Sequence, residues 1–461
     1  MTAQHSFSVA GKTVVVVGAA RSGVAAAELL VRRGATVTLT DTREHIQEEE
    51  QLRVIGVRLE LGGHQTDTLL GADLIVLSPG VPPAQPAIAT ARAAGVPVMG
   101  ELELASRWLR GRIVAITGTK GKSTTTTLAG RMLEAGGFHV LVGGNIGHAL
   151  SAQVDQSTED TIHVVEASSF QLEGTETFHP WIAVLLNFSP DHLDRHADIS
   201  EYAAAKARIF ANQTTDDWAV LNADDGPSQV LAQDAPARRL QFATERDLTD
   251  GVLVAGDAIV RRAGGRDDVL VPLSQVKLLG RHLLADVVAA AAVASIAGVG
   301  PAAITHAVRT FTGLEHALEP VLEISGVQFV NDSKATNIEA ALRAIESFGQ
   351  GLVVILGGRF KGGDFGELRA ALVERGATVI AIGESAPLVH QAFEPAVPVH
   401  DADDMPGAVR KAFAVAAPGS TVLLAPACAS FDMFKDYAER GRVFKQSVAK
   451  LEAEWSGTRE Q

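Results

Sequence analysis

The sequence predicts an α/β protein made of three consecutive units, each a largely parallel sheet covered by helices. Three observations lead there. Short continuous apolar runs alternate with helical stretches, the pattern of strands buried on both faces. The alternation restarts twice, near residues 113 and 327. A chain of 461 residues also exceeds one comfortable core and fits roughly three domains.

In the first unit, strand-like residues 14–17 lead through a glycine turn into a helix over 24–33, followed by strands at 36–40 and 74–77 and a Pro-rich turn at 78–83. The second opens with a strand at 113–117, then strands at 163–165, 182–186 and 218–221. Short alternating runs broken by glycines over 251–270 predict a small antiparallel excursion, and an alanine-rich helix is expected over 282–297. Strands at 327–330, 352–356, 378–382 and 421–424 make the third. Boundaries fall near 100 and 313, giving domains 1–100, 101–313 and 314–461. The polar tail after Trp455 is expected to fray.

Composition narrows the function. The chain is 46% hydrophobic and 20% charged, with a net charge of −14, which leaves no electrostatic footprint for nucleic acid or an anionic membrane. Small-molecule partners are expected. The longest uncharged apolar-rich stretch, residues 287–300, is too short for a bilayer and reads as a buried helix. A single cysteine, Cys428, excludes an intrachain disulfide, and no signal-peptide pattern precedes the first strand. A cytoplasmic protein, acting as a monomer, is the expectation.

The most informative segment is Thr117-Gly118-Thr119-Lys120-Gly121-Lys122-Ser123-Thr124. It follows an apolar strand and opens a helix. Glycines there let backbone N–H groups close around phosphate oxygens, and the helix N-terminus adds positive potential. Lys122 can reach the β- and γ-phosphates of ATP, and the Ser123 hydroxyl can bind Mg²⁺. The usual pattern has an earlier glycine where this chain has Ile116, so the loop is a shortened variant. Glu166, at the end of another apolar strand, is a second oxygen donor suited to Mg²⁺.

This loop resembles that of the Mur ligases and folylpolyglutamate synthases. Further landmarks follow in order: Glu166-Ala167-Ser168-Ser169-Phe170-Gln171-Leu172, Asp191-His192-Leu193-Asp194-Arg195-His196, Tyr202 with Lys206, and Asn331-Asp332-Ser333-Lys334-Ala335-Thr336-Asn337. The run Ala427-Cys428-Ala429-Ser430-Phe431-Asp432-Met433-Phe434-Lys435 is similar to the D-glutamate-adding branch of the Mur ligases. The resemblance spans essentially the whole chain. It implies a Rossmann-like first domain, a phosphate-loop ATPase-like central domain and a Rossmann-like third domain. The activity implied is ATP-dependent ligation of D-glutamate to UDP-N-acetylmuramoyl-L-alanine, a step of peptidoglycan precursor synthesis.

The same resemblance implies the site residues. Gly118 to Thr124 and Asp332 are assigned to ATP. Ser123, Glu166, His192 and Lys206 are assigned to two Mg²⁺ ions, with Lys206 carbamylated by CO₂. Lys122, Glu166, His192 and Lys206 make the catalytic set. Ser22, Asp41, Thr42, Ser78, Gly80 and Asn145 are assigned to the UDP substrate, and Lys334, Thr336, Lys361, Ser430 and Phe434 to D-glutamate. Read alone, Lys206 is a surface lysine and His192 a polar loop residue. Gly18-Ala19-Ala20-Arg21-Ser22-Gly23 read alone is a weak dinucleotide fingerprint with Ala20 in place of its middle glycine, which disfavours NAD.

Two positions depart from the family pattern. Leu283 stands where an asparagine is usual, and Ala317 where an arginine is usual. Each lost charge-assisted contact to ATP is worth about 1.5–3 kcal/mol. Two alternatives therefore stand beside the ligase: a UDP-sugar-binding homologue without catalysis, and a Mur ligase of different amino-acid specificity. An NAD-dependent oxidoreductase leaves Gly118 to Ser123 unexplained.

Overall fold

The computed structural model describes residues 7–191, 195–277, 281–311 and 313–459. Within it, three sheets are distributed over two compact units, Met1–Val276 with His282–Thr310, and Lys277–Arg281 with Phe311–Gln461.

In the first unit, β1 (Thr13–Val17), β2 (Thr36–Asp41), β3 (Arg58–Leu61), β4 (Leu74–Leu77) and β5 (Val98–Gly100) form a parallel sheet in the order β3-β2-β1-β4-β5. The apolar run of β1 is continuous because both its faces are covered. Val14 and Val16 enter one core cluster, Val15 and Val17 the other.

The second sheet of that unit comprises β6 (Arg112–Thr117), β7 (His139–Gly144), β8 (Thr161–Glu166), β9 (Ile182–Leu185), β10 (Trp218–Asn222), β11 (Arg238–Ala243), β12 (Gly251–Ala255), β13 (Ala258–Ala263) and β14 (Arg266–Pro272). Its order is β14-β13-β12-β11-β10-β9-β6-β8-β7, parallel from β7 to β12 and antiparallel over β12, β13 and β14. The antiparallel excursion is thus an extension of the main sheet. Strand β6 lies between β8 and β9, where the strand order reverses, and α/β sheets bind ligands at the carboxyl ends of strands around such a point.

Buried contacts join the two sheets. Gly100 N–H donates to Gly174 O at 3.0 Å. A side chain on Gly174 would place its Cβ 2.7 Å from Gly100 N, so only glycine permits this approach. Glu103, fully buried, accepts backbone N–H groups from Glu176, Thr177 and Phe178 at 2.8–3.1 Å.

In the second unit, β15 (Glu319–Ile324), β16 (Val327–Asn331), β17 (Leu352–Gly357), β18 (Thr378–Ile382), β19 (Val399–Ala402) and β20 (Thr421–Leu424) take the order β15-β16-β20-β17-β18-β19. All pairings are parallel except the edge pair β15–β16. The tail does not fray at Trp455 as expected: helix Tyr437–Arg459 carries it, with Phe444, Val448 and Leu451 in the core and Trp455 Nε1 donating to Ser325 Oγ at 2.6 Å.

Among the described residues no helix is long and apolar enough to cross a membrane. Helix Arg281–Ile296 is instead the buried helix expected from composition, with residues 287–294 fully covered.

Candidate active site

Strand β6 delivers the chain to the phosphate loop, and helix Lys122–Ala135 leaves it. Gly121 caps the helix at φ 81°, in the left-handed region. Asn187, just beyond β9, pins the loop on both sides: its Oδ1 accepts Lys120 N–H at 2.9 Å, and its Nδ2 donates to Lys120 O at 3.1 Å. Thr119 Oγ1 donates to Ser189 O at 3.1 Å and lies 3.2 Å from Tyr202 Oη. Gly118 to Thr124 therefore form one strand-to-helix turn, as the motif predicts.

Two ammonium groups converge on one carbonyl. Lys122 Nζ donates to Gly118 O and Thr119 O, each at 2.9 Å, and Lys206 Nζ donates to Gly118 O at 2.8 Å. Lys206 is 1% exposed, not the surface lysine its sequence context allows. It reaches the loop from helix Ile199–Ala207, passing over the Tyr202 ring at 4.7 Å. Burial, reinforced by Lys122, lowers its amine to about 7, against an opposing pull from Asp191.

Glu166 ends β8, and its register opposite Ile116 of β6 sets it at the carboxyl edge where the loop begins. Its Oε1 accepts Asn145 Nδ2 at 2.8 Å, while its buried Oε2 has no hydrogen-bond partner. A buried carboxylate oxygen left unsatisfied beside a phosphate loop fits a hard cation such as Mg²⁺. His192 lies outside the described residues.

Asp286, which sequence reasoning missed, backs the loop from helix Arg281–Ile296. A Cβ on Gly121 would fall 2.1 Å from Asp286 Oδ1, so this glycine is required by a neighbour as well as by its φ. Burial drives the Asp286 carboxyl well above its ordinary range. Its only sequence signal is an acid inside an otherwise apolar helix.

A second cavity of about 370 Å³ lies at the carboxyl ends of β1, β2 and β4. It brings together Ser22, Asp41, Thr42, Ser78, Gly80 and Asn145, all six residues expected to meet the UDP substrate. Ser78 also has an internal task, donating through Oγ to Gly18 O at 2.8 Å. Sequence reasoning passed over Arg21 and Arg43, which line the same space; Arg21 brings positive charge to it, while Arg43 is paired with Asp41. Asn145 bridges the two sites, lining the cavity while holding Glu166.

Asp41 is held from several sides. Its Oδ2 accepts Ala19 N–H at 2.6 Å, and Arg43 Nε and Nη2 reach its two oxygens, each at 2.9 Å. The Arg43 guanidinium, opposed by burial and helped by the Ala19 amide, holds this carboxyl well below the usual range. A depressed folded-state pKa stabilises the fold above the unfolded value, and that contribution is lost as pH falls below about 4. Asp41→Asn is therefore expected to lower the melting temperature at neutral pH and to flatten its acid dependence. Melts across the acid range test this; identical pH profiles for parent and variant would contradict it.

In the second unit the expected D-glutamate residues gather at the carboxyl ends of three neighbouring strands. Thr336 follows β16, Lys361 follows β17, and Ser430 and Phe434 follow β20. Lys361 Nζ lies 3.5 Å from Thr336 Oγ1. The loops after β17 and β20 are tied by Arg359 and Ala429, whose N–H and C=O groups exchange bonds of 2.9 and 3.0 Å. Buried Arg440, also unforeseen, fastens the loop after β16 by donating to Ser333 Oγ and O and to Cys428 O, at 2.9–3.1 Å. Phe434 leans on the core cluster beneath it. Lys334 is exposed, whereas Asp332 is buried, and desolvation raises its carboxyl to about 7.

Fold and site together define a phosphate-loop α/β protein with a separate polar cavity at the strand ends of its first sheet. Three family models match in succession: "Mur ligase MurD-like, N-terminal domain" over 12–100, "Mur ligase middle domain" over 116–294 and "Mur ligase, glutamate ligase domain" over 318–428. The chain belongs to the Mur ligase family. It is 47% identical to the UDP-N-acetylmuramoylalanine--D-glutamate ligase of Acidobacterium capsulatum, over 95% of this chain and 96% of that one. It is 43% identical to the protein of the same name from Koribacter versatilis, over 96% and 98%. Among solved structures, the UDP-N-acetylmuramate-alanine ligase of Thermotoga maritima matches its fold with a TM-score of 0.61 at 18% identity, covering 95% of this chain and all of that one.

Proposed function

We propose that this chain joins D-glutamate to UDP-N-acetylmuramoyl-L-alanine at the expense of ATP, in the synthesis of peptidoglycan precursors. The observation that carries the chemistry is the convergence of Lys122 and Lys206 on the phosphate loop, beside a Glu166 oxygen with no protein partner. The relatives' shared name supports the choice of amino acid.

The acceptor's carboxylate attacks the γ-phosphorus of ATP, forming an acyl phosphate and releasing ADP. The amine of D-glutamate then attacks the acyl carbon, loses a proton and expels phosphate, leaving an amide. A carboxylate is a poor electrophile, so phosphorylation supplies the leaving group. Lys122 neutralises charge gathering on the transferred group, and the cradle of loop N–H groups positions it. Ser123, Glu166, His192 and Lys206 would hold two Mg²⁺ ions, and the bound ions would supply further Lewis-acid stabilisation. With its amine lowered to about 7, Lys206 holds a neutral fraction able to take up CO₂ as a carbamate.

The wall of the β1–β4 cavity, with Ser22, Asp41, Thr42, Ser78, Gly80 and Asn145, takes the UDP moiety. Asp332 contacts ATP, and Lys334, Thr336, Lys361, Ser430 and Phe434 cradle the dicarboxylate. Residues 1–100, 101–313 and 314–461 serve as the UDP-substrate, ATP and amino-acid domains of a cytoplasmic monomer.

A coupled ADP-release assay with an amino-acid panel tests the reading. Turnover is expected with D-glutamate, to fall in CO₂-depleted buffer, and to return with bicarbonate. Lys361→Ala is expected to raise KM for D-glutamate more than it lowers kcat. Preference for L-alanine or a diamino acid would transfer the chain to another specificity. UDP-substrate binding without Mg·ATP binding would point instead to the non-catalytic homologue suggested by Leu283 and Ala317.

A further inference from the structure

We infer that Glu173, His196 and Glu201 form a separate divalent-cation site whose preferred ion is zinc. Glu173 ends helix Ser169–Glu173, His196 stands in the connection that follows β9, and Glu201 lies in the first turn of helix Ile199–Ala207. Their donor atoms all fall within 4.8 Å of one another. None of the three has a place in the nucleotide, UDP or D-glutamate sites described above.

Ordinary interactions account for part of this cluster. Asp198 Oδ1 accepts Glu201 N–H at 2.8 Å, and Glu201 Oε2 accepts Ala197 N–H at 2.5 Å, which is a helix cap. That cap uses one Glu201 oxygen, and a carboxylate has lone pairs to spare for a cation. The cap does not account for His196. This ring is 1% exposed, and its Nδ1 lies 3.2 Å from Glu173 Oε1 yet makes no hydrogen bond. Glu173 Oε2 is buried without a hydrogen bond as well.

The imidazole is prepared as a ligand. Its Nε2 lies 3.0 Å from Ser169 Oγ, which can accept a hydrogen bond from Nε2 when Nδ1 gives its lone pair to a cation instead of facing the Glu173 carboxylate at 3.2 Å. Phe170 stacks on the ring with centroids 5.4 Å apart, and Tyr202 lies on it at 5.3 Å, so its orientation is held. Ions can enter through a cavity of about 750 Å³ lined by all three residues.

The choice of ion follows from the donors and their surroundings. One imidazole nitrogen with two carboxylates and room for water is a zinc-type set. The imidazole donor disfavours Mg²⁺, which seeks oxygen ligands. Arg195, 3.7 Å from Glu173 Oε2, and Arg92 on the cavity wall oppose any dication alike, so only an ion bound strongly by the donors can stay. Bound there, zinc would tie helix Ser169–Glu173 to the helix that carries Tyr202 and Lys206.

The test uses the full chain, stripped with chelator and titrated calorimetrically with zinc chloride in excess magnesium chloride. One zinc equivalent is expected, with a zinc-edge X-ray absorption spectrum of one imidazole nitrogen and oxygen neighbours. Glu173→Gln and Glu201→Gln should lose that equivalent while keeping the parent's circular dichroism. Ser169→Ala should weaken it about 10- to 100-fold. Ser123→Ala, altered only in the phosphate loop, should retain it. An equivalent that survives both glutamine variants, vanishes in Ser123→Ala, or never appears in the parent overturns the site.

Discussion

Lys122→Ala is expected to reduce ADP release by about 10²–10³-fold, the usual scale for removing one preorganised charge that stabilises a transition state. The lysine stands at the first position of the helix that opens from the phosphate loop, its ammonium held by Gly118 O and Thr119 O. In the proposed reaction it meets the charge that builds up as the phosphoryl group transfers. Alanine keeps the helix but leaves Gly118 O with Lys206 as its remaining ammonium partner. Removing the Lys122 charge also relieves the repulsion that helps lower Lys206, so the Lys206 amine should rise and its neutral fraction shrink. Both effects act against turnover. The measurement is steady-state ADP release, with circular dichroism to establish that the variant folds; amide synthesis at the parent rate would remove the basis of the proposed chemistry.

Glu166→Gln is expected to cost a similar factor, about 10²–10³ in kcat, while leaving the fold at least as stable. The variant is nearly isosteric, and its amide oxygen can still accept from Asn145 Nδ2, which the parent binds at 2.8 Å. The position of Oε2 becomes an NH₂ group with no lone pair for a cation. A buried carboxylate oxygen without a partner costs stability, so removing the charge should raise the melting temperature or leave it unchanged. That combination separates a metal ligand from a structural acid, whose loss lowers stability and activity together. Raising the magnesium concentration should not restore the variant. Parent-like kcat in Glu166→Gln would remove Glu166 from the ligand set.

The contrast between these residues and the unforeseen ones shows which information is local. Gly118 to Thr124 are contiguous, and their chemistry depends on a strand, a turn and a helix N-terminus that neighbouring residues form by themselves. The central strands were legible for the same reason: β1, β6 and β17 are buried on both faces, so their apolar runs are unbroken. The strands left unrecognised were β3, β5, β7, β11, β15 and β19, and all but β11 are sheet edges. An edge strand covers less of itself and carries polar residues, as in Arg58–Leu61 and Val399–Ala402, so its sequence resembles a loop.

The amino-acid order was enough to specify three α/β units and a phosphate loop and, through resemblance, to nominate the residues proposed around three substrates. Folding alone could reveal that Lys206 crosses 88 residues of sequence to share Gly118 O with Lys122, that Asp286 presses on Gly121, and that Arg43 neutralises Asp41 inside the cavity at the ends of β1, β2 and β4. It likewise assembled Glu173, His196 and Glu201 from two helices and a loop. The division has a physical cause. Backbone conformation and strand burial are set by residues a few positions apart, whereas ionisation and ligand geometry depend on charges within a few ångströms, wherever the chain has brought them from.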